Sequence, residues 1–222
     1  AFYRSCLGVG FQESTDINHP ESTGVSPVPV NNLDGVRMST ALTYIDPNRY
    51  RLNLTIKANV MVTRILFSGK AATGEEVESG EETFVVEGRE IVLSAGAIKS
   101  PHLLMLSGVG PAGQLNEFNI PVVCELPGVG QNMRDHPQVS MLLQAKDGVQ
   151  MDPDAPKREC LLHYTATGSS VRNDMLITPS SFATQMGGDP NESIGMSFSA
   201  SLYKPAGTGE VRLASPDPHA QP

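Results

Sequence analysis

Residues 90–110, EIVLSAG running into AIKSPHLLMLSGVG, leave this chain few ways to fold. EIVLSAG is a short apolar segment and reads as a buried strand over 90–96. Ser100-Pro101 then reads as an N-cap followed by proline at the first helical position, where a missing N–H removes no helical hydrogen bond. Leu103, Leu104 and Leu106 give that helix an apolar side, Ser107-Gly108 gives it a stop, and His102 is expected as a partly exposed helix residue. The expected unit is a strand, a turn of small residues and a closely placed helix. In that turn, Ser94, Ala95 and Gly96 would let a flat ligand or its phosphates come close to backbone. Tight packing of helix on sheet needs the same small residues, and the sequence by itself leaves the two readings level.

The 222 residues can hold one large domain or parts of two, and an apolar share of 39% is enough for a core. A net charge of -8 and the lack of any basic patch exclude a nucleic-acid partner. No apolar stretch is long enough to span a bilayer, so no membrane role is expected. Cys6, Cys124 and Cys160 are odd in number, widely spaced and free of any CxxC pattern. They read as reduced thiols and lean towards a cytoplasmic setting. The start AFYRSCLGVGF lacks the basic region and long apolar core of a signal peptide.

Along the chain, residues 1–29 are polar and expected to hold helix ends and loops. Ser39-Thr40 can cap a short helix, TALTYI, that ends before Asp46-Pro47. LNLTIKANVMVTRILF alternates apolar and polar residues and predicts one or two strands, broken near Ala58-Asn59. Strands over 71–77 and 83–86 would complete a small antiparallel meander attached to a parallel sheet. GQLNEF predicts a short helix, IPVVCELPG a strand entry, and PQVSMLLQAK, IGMSFSASLY and GEVRLAS further strands. The stretch 152–191 is rich in Gly, Pro, Ser and Asp and is expected to be loop-rich.

A literal GxGxxG stands at Gly108-Val109-Gly110-Pro111-Ala112-Gly113. It follows a helix instead of a strand, and Pro111 lacks an amide that could meet a phosphate, so it is a decoy. Asp135 and His136 are adjacent; on an extended segment they point to opposite sides and do not form an acid–base dyad. They are expected to hold loops. The other histidines, His19, His102, His163 and His219, have no metal-ligand spacing, and no metal site is expected. No serine-hydrolase elbow, Walker loop, paired-carboxylate site or HExxH occurs.

Position for position, Gly96-Ala97, Ser100-Pro101, Leu103-Leu104 and Ser107-Gly108-Val109-Gly110 resemble the second signature of the glucose-methanol-choline (GMC) family of FAD-dependent oxidoreductases. The resemblance extends through Ile120-Pro121-Val122-Val123 and LPGVGQNMRDHP (126–137), and upstream through Arg51-Leu52-Asn53-Leu54, VMVTRILF and REIVLSAG. It covers the stretch 34–137, with weaker likeness on either side.

The resemblance implies an α/β fold of mixed α+β character: part of a GMC-type FAD-binding domain with a β-meander, plus part of an antiparallel-sheet substrate domain. It implies a substrate-domain portion and connecting loops over 1–39, an FAD-binding portion over 40–136 with the signature at 96–110, and a substrate-binding portion over 137–222. FAD is the implied cofactor. Val62 is the implied contact for its adenine end, through backbone, and Ser94, Ala95 and Gly96 form an implied backbone wall beside it. Glu75 departs from the family, which carries an apolar residue after Gly74, and that affects the packing of the meander strand.

The implied reaction is oxidation of a small-molecule alcohol to a carbonyl by hydride transfer to flavin N5, with a histidine as base. The catalytic histidine region and the main pyrophosphate loop have no match here, so no catalytic residue is nominated in this chain. An internal piece of a larger enzyme is expected, completed by N- and C-terminal segments of the same protein and inactive alone. Hydroxynitrile lyases and fatty-acid photodecarboxylases on the same scaffold, and a non-catalytic fragment, are the alternatives.

Overall fold

The computed structural model describes residues 1–146, 148, 156–184 and 193–222. In chain order its elements begin with α1 (Phe2–Gly8), β1 (Gly24–Pro27), β2 (Asn32–Leu33), β3 (Val36–Arg37), β4 (Met61–Ser68), β5 (Ala71–Ser79) and β6 (Glu82–Glu87). They continue with α2 (Gly96–Leu106), β7 (Val109–Gly110), α3 (Ala112–Glu117), β8 (Cys124–Glu125) and β9 (Gln131–Met133). The remaining strands are β10 (Gln138–Gln144), β11 (Cys160–Tyr164), β12 (Met175–Thr184), β13 (Ser193–Leu202) and β14 (Gly209–Glu210). The class is mixed α/β, and its larger sheets are antiparallel.

Two units interleave along the sequence: Ala1–Pro47 with Asp135–Ala206, and Asn48–Arg134 with Gly207–Pro222. The sequence placed divisions at 40 and 137 and kept 207–222 with the segment before it. The chain instead returns those last residues to the second unit, where Gly209 and Glu210 pair with Met133 and Gln131.

The first unit is built on a five-stranded antiparallel sheet in the order β1-β11-β12-β13-β10. Cys6 of α1 buries against Val25 and Leu162, with Phe2, Tyr3, Phe11, Tyr164 and Ile177 around them. The Phe11 ring meets Tyr164 edge-on at 5.6 Å, a favoured aromatic arrangement. Expectation fails over 152–191, where β11 and all of β12 lie in the supposed loop; 152–155 and 185–191 fall outside the described residues. Ladder pairing overrides composition here. Thr178, Ser180 and Ser181 all pair with β13, and Pro179 stands beyond the three residues that β12 pairs with β11.

In the second unit, β4, β5 and β6 form the expected antiparallel meander. Its core is Met105, Leu115, Val211 and Leu213, flanked by Leu106, Phe118, Ile120, Val129 and Met133. GEVRLAS gives a strand of only two residues because Val211 and Leu213 turn into that core. The buried Leu213 N–H donates to Gln114 Oε1 at 3.0 Å, so α3 holds the returning segment by a specific bond as well as by packing.

Three local expectations change in this unit and beside it. Residues 91–94 are extended but pair with no strand among the described residues, and Val92 is 84% exposed, so 90–96 is not a buried strand here. A strand needs a ladder partner, and apolar content alone supplies none. Leu52, Leu54 and Ile56 are exposed and have no ladder partner among the described residues, so of the one or two strands expected there a single one, β4, forms. The helical turn at Ala41–Ile45 does not stop before Pro47 but runs into a 3-10 turn at Asp46–Asn48, whose early position tolerates proline.

α2 begins a full turn earlier than Ser100-Pro101 suggested, which leaves Pro101 inside it. Gly96, with φ of +84°, swings the extended segment into the helix, a conformation that favours glycine. Ser107 closes the helix as expected. Its hydroxyl donates to the Leu103 carbonyl at 2.6 Å and accepts the Ile65 N–H of β4 at 2.8 Å. Because this pair is buried, Ser107→Ala should cost about 1–3 kcal/mol by orphaning the Ile65 amide. Chemical denaturation would check this, and a loss below about half a kcal/mol would contradict that role for the hydroxyl.

Candidate functional site

Within the second unit, α2, β4 and residues 91–95 line a cavity of about 480 Å³. That lies in the roughly 300–1,000 Å³ range of small-molecule sites. Val62 of β4 and Ser94 and Ala95 of the segment line it together. Gly96 does not; its role is the turn into α2. Met61, Ile65, Leu103 and Leu106 make the walls largely apolar.

Among the described residues, backbone at 91–94 has no ladder partner, and the side chains of Ser94 and Ala95 are too small to fill the space. The cavity therefore offers apolar faces together with free peptide groups at its edge. A flat heteroaromatic ring with polar edges suits that combination, and one half of a dinucleotide fits it in size.

Three polar side chains on the same walls were not singled out from the sequence as site residues: Glu75, Lys99 and His102. The signal was present in the spacing 99, 102, 103, 106, which is one face of a helix. His102 is only 3% exposed, contrary to the partly exposed position expected for it. Sequence placed the apolar side on Leu103, Leu104 and Leu106, whereas the residues α2 buries are His102, Leu103 and Met105. The Lys99 ammonium, which can only donate, reaches His102 Nδ1 at 3.4 Å, leaving the ring proton on Nε2. Burial, and then the neighbouring ammonium, hold the imidazole below its usual value and so keep it neutral at pH 7. Glu75 is half-buried, and it faces the cavity.

Behind the wall, β4 is fixed by its own polar contacts. Arg64 bonds Glu76 at 2.8 Å, and this holds the Glu76 carboxyl below the usual carboxylate value, helped by the Thr63 hydroxyl. Val62 precedes a break in register with β5, which comes between Val62 and Arg64.

In the glycine run 108–113, Gly108 and Gly110 lie against protein. A Cβ on Gly108 would stand 2.3 Å from the Pro121 carbonyl oxygen, and one on Gly110 would stand 3.0 Å from Met105 Cγ. Protein already occupies the space that the missing side chains leave, so these glycines serve packing. In the first unit, Asp135 accepts the His136 N–H at 2.8 Å, and the His136 ring stacks on Tyr203 at 4.3 Å. Both contacts are structural. Among the described residues no group of His, Cys, Asp or Glu could hold a metal ion. The three cysteines are unpaired, and burial raises the thiols of Cys6 and Cys160. No helix among the described residues is long and apolar enough to cross a membrane.

Residues 1–138 match the family model described as GMC oxidoreductase. The chain belongs to the GMC oxidoreductase family, and FAD is the cofactor of that family. It is 34% identical over its whole length to an uncharacterized GMC-type oxidoreductase of Rhodococcus erythropolis, of which it covers 43%. It is 42% identical over 63% of its length to the mitochondrial choline dehydrogenase of Mus musculus, covering 24% of that protein. Among solved structures it resembles pyridoxine 4-oxidase from Mesorbium loti, at 24% identity and a TM-score of 0.80, over 97% of this chain and 43% of that one. It also resembles a formate oxidase, at 21% identity and a TM-score of 0.83, over 98% of this chain and 47% of that one. These two show the fold. The chain thus spans less than half the length of the relatives it matches.

Proposed function

We propose that this chain is part of an FAD-dependent enzyme that oxidises a small-molecule alcohol to a carbonyl, and that its cavity holds the adenosine half of the cofactor. Bound FAD supplies the hydride acceptor, flavin N5, while the alcohol proton passes to a base. The observation that carries the reading is the meeting of Val62 with Ser94 and Ala95 around one cavity with free backbone at its rim. Val62 presents main chain to the edge of the adenine, and the segment 94–95 forms the wall beside it. The apolar side chains of Met61, Ile65 and Leu103 cover the ring faces and exclude water from them.

The alcohol class draws support from the choline dehydrogenase relatives, whose similarity covers most of this chain. On this reading the base and the pyrophosphate-binding loop belong to further polypeptide of the same enzyme, which is consistent with the share of each relative that these residues span. No residue of the 222 is assigned as catalytic.

Titration of FAD with the purified chain, followed by flavin fluorescence, tests the cavity. Weak but saturable quenching is expected, with no reduction of a dye acceptor in the presence of choline or other alcohols. Ala95→Phe, which places a ring in the cavity, should weaken FAD binding by about tenfold or more, since it replaces contact with overlap. Failure to saturate, or an unaffected Ala95→Phe variant, would remove the cavity from the cofactor site. Stoichiometric tight FAD with turnover would instead show that the isolated chain is a complete enzyme.

A further inference from the structure

Lys99 and His102 stand out in a cavity whose walls are otherwise mostly apolar. Lys99 is half-buried, and among the described residues no carboxylate meets it within ion-pair distance. Its recorded side-chain partner is a neutral imidazole, which it approaches as a donor. His102 is buried, its Nδ1 is taken up by that contact, and among the described residues no acceptor meets its Nε2. Two adjacent side chains thus present donors, one of them charged, without a counter-group. Neither donor is among the fully buried polar atoms left without a partner in the described residues, so an acceptor on the occupant would take the place of solvent there. The remaining charged group on the walls, Glu75 of β5, repels an anion, which leaves the α2 wall as the favourable side for one.

We infer that Lys99 and His102 form an anion-recognition element that takes a phosphate of the adenosine-bearing half of the cofactor. This rests on the adenosine reading of the cavity and adds to it a polar anchor that main chain at Val62, Ser94 and Ala95 does not provide. The Lys99 ammonium supplies the charge, and His102 Nε2–H supplies a second donor while its Nδ1 orients the lysine. A phosphate beside this pair also favours the protonated imidazole, so its arrival raises the affinity of His102 for a proton.

Calorimetric titration of the 222-residue chain with AMP and with adenosine separates the anchor from the cavity. AMP should bind about tenfold tighter than adenosine, the scale of one charge-assisted contact. Lys99→Met should make the two ligands equal by weakening AMP alone, and Lys99→Arg should keep the preference. In proton NMR, the titration of the His102 ring should move to higher pH with AMP and stay in place with adenosine. Equal affinities for the unaltered chain, or an AMP preference that survives Lys99→Met, overturns the anchor and leaves the adenosine reading standing. If neither ligand binds, both readings fall.

Discussion

Gly108→Val should be among the most damaging single changes in this chain, and the second unit should lose its core because of it. Gly108 has φ of +82°, follows the last residue pair of α2, and its carbonyl accepts the N–H groups of Val123 at 2.8 Å and Cys124 at 3.2 Å. A side chain there faces two separate penalties. The left-handed backbone costs an L-residue about 1–2 kcal/mol, more when β-branched. The new Cβ also lies 2.3 Å from the Pro121 carbonyl oxygen, a backbone atom that cannot rotate away. Relief requires moving the residues before β8 off α2, which breaks the β7–β8 pairing. Together these are large against the roughly 5–15 kcal/mol that hold a typical domain. Urea unfolding should show a transition at much lower denaturant or none at all. An unchanged midpoint would mean that Gly108 and Pro121 do not meet as closely as described.

Met105→Ala should produce the next largest loss. Met105 has no exposed surface, and it packs with Leu115, Val211 and Leu213, which join α2, α3 and the returning C-terminal segment. Removing its side chain leaves a hole bounded by three elements that are held elsewhere, so collapse is restricted and the cost should be about 2–5 kcal/mol. Leu104, one position earlier and only half-buried, is the control. Leu104→Ala should cost distinctly less, although the sequence alone ranks the two the other way. Thermal or urea unfolding of both variants checks the order, and a reversed order would place the buried face of α2 on the wrong side.

That reversal shows what could be read from the residues and what could not. The helix itself, its stop at Ser107-Gly108, the β4–β6 meander and strands β10 and β13 were all legible, because each rests on local alternation or a capping signal. The buried face of α2 was not. Apolar identity favoured Leu104 and Leu106, but the face is set by where β4 and β7 lie against the helix, and it takes in His102. The strands β11 and β12 were hidden for a related reason: the prolines, serines, glycines and aspartates of that stretch read as loop, yet Thr178, Pro179, Ser180 and Ser181 sit in a ladder fixed by neighbours distant in sequence. Conversely, Leu52, Leu54, Ile56 and the segment 91–94 carry strand-like patterns without a ladder partner among the described residues. Pattern states that a segment could pair; it does not supply the partner.

The candidate site divides along the same line. Val62, Ser94 and Ala95 come together from positions named in advance, and these carry the resemblance to the family. His102 was present only as a helix residue, and Lys99 stood before the expected N-cap, until the turn at Gly96 started the helix earlier and placed their face towards the cavity.

Val211 and Leu213 close a core whose other members were laid down about a hundred positions earlier. During synthesis on the ribosome, Met105 and Leu115 must therefore wait, uncovered on that side, while the whole stretch 135–206 emerges. A nascent chain in that interval depends on chaperones or on slow collapse to shelter its half-finished interior, and a stop codon shortly before Val211 would leave the earlier unit without its final wall.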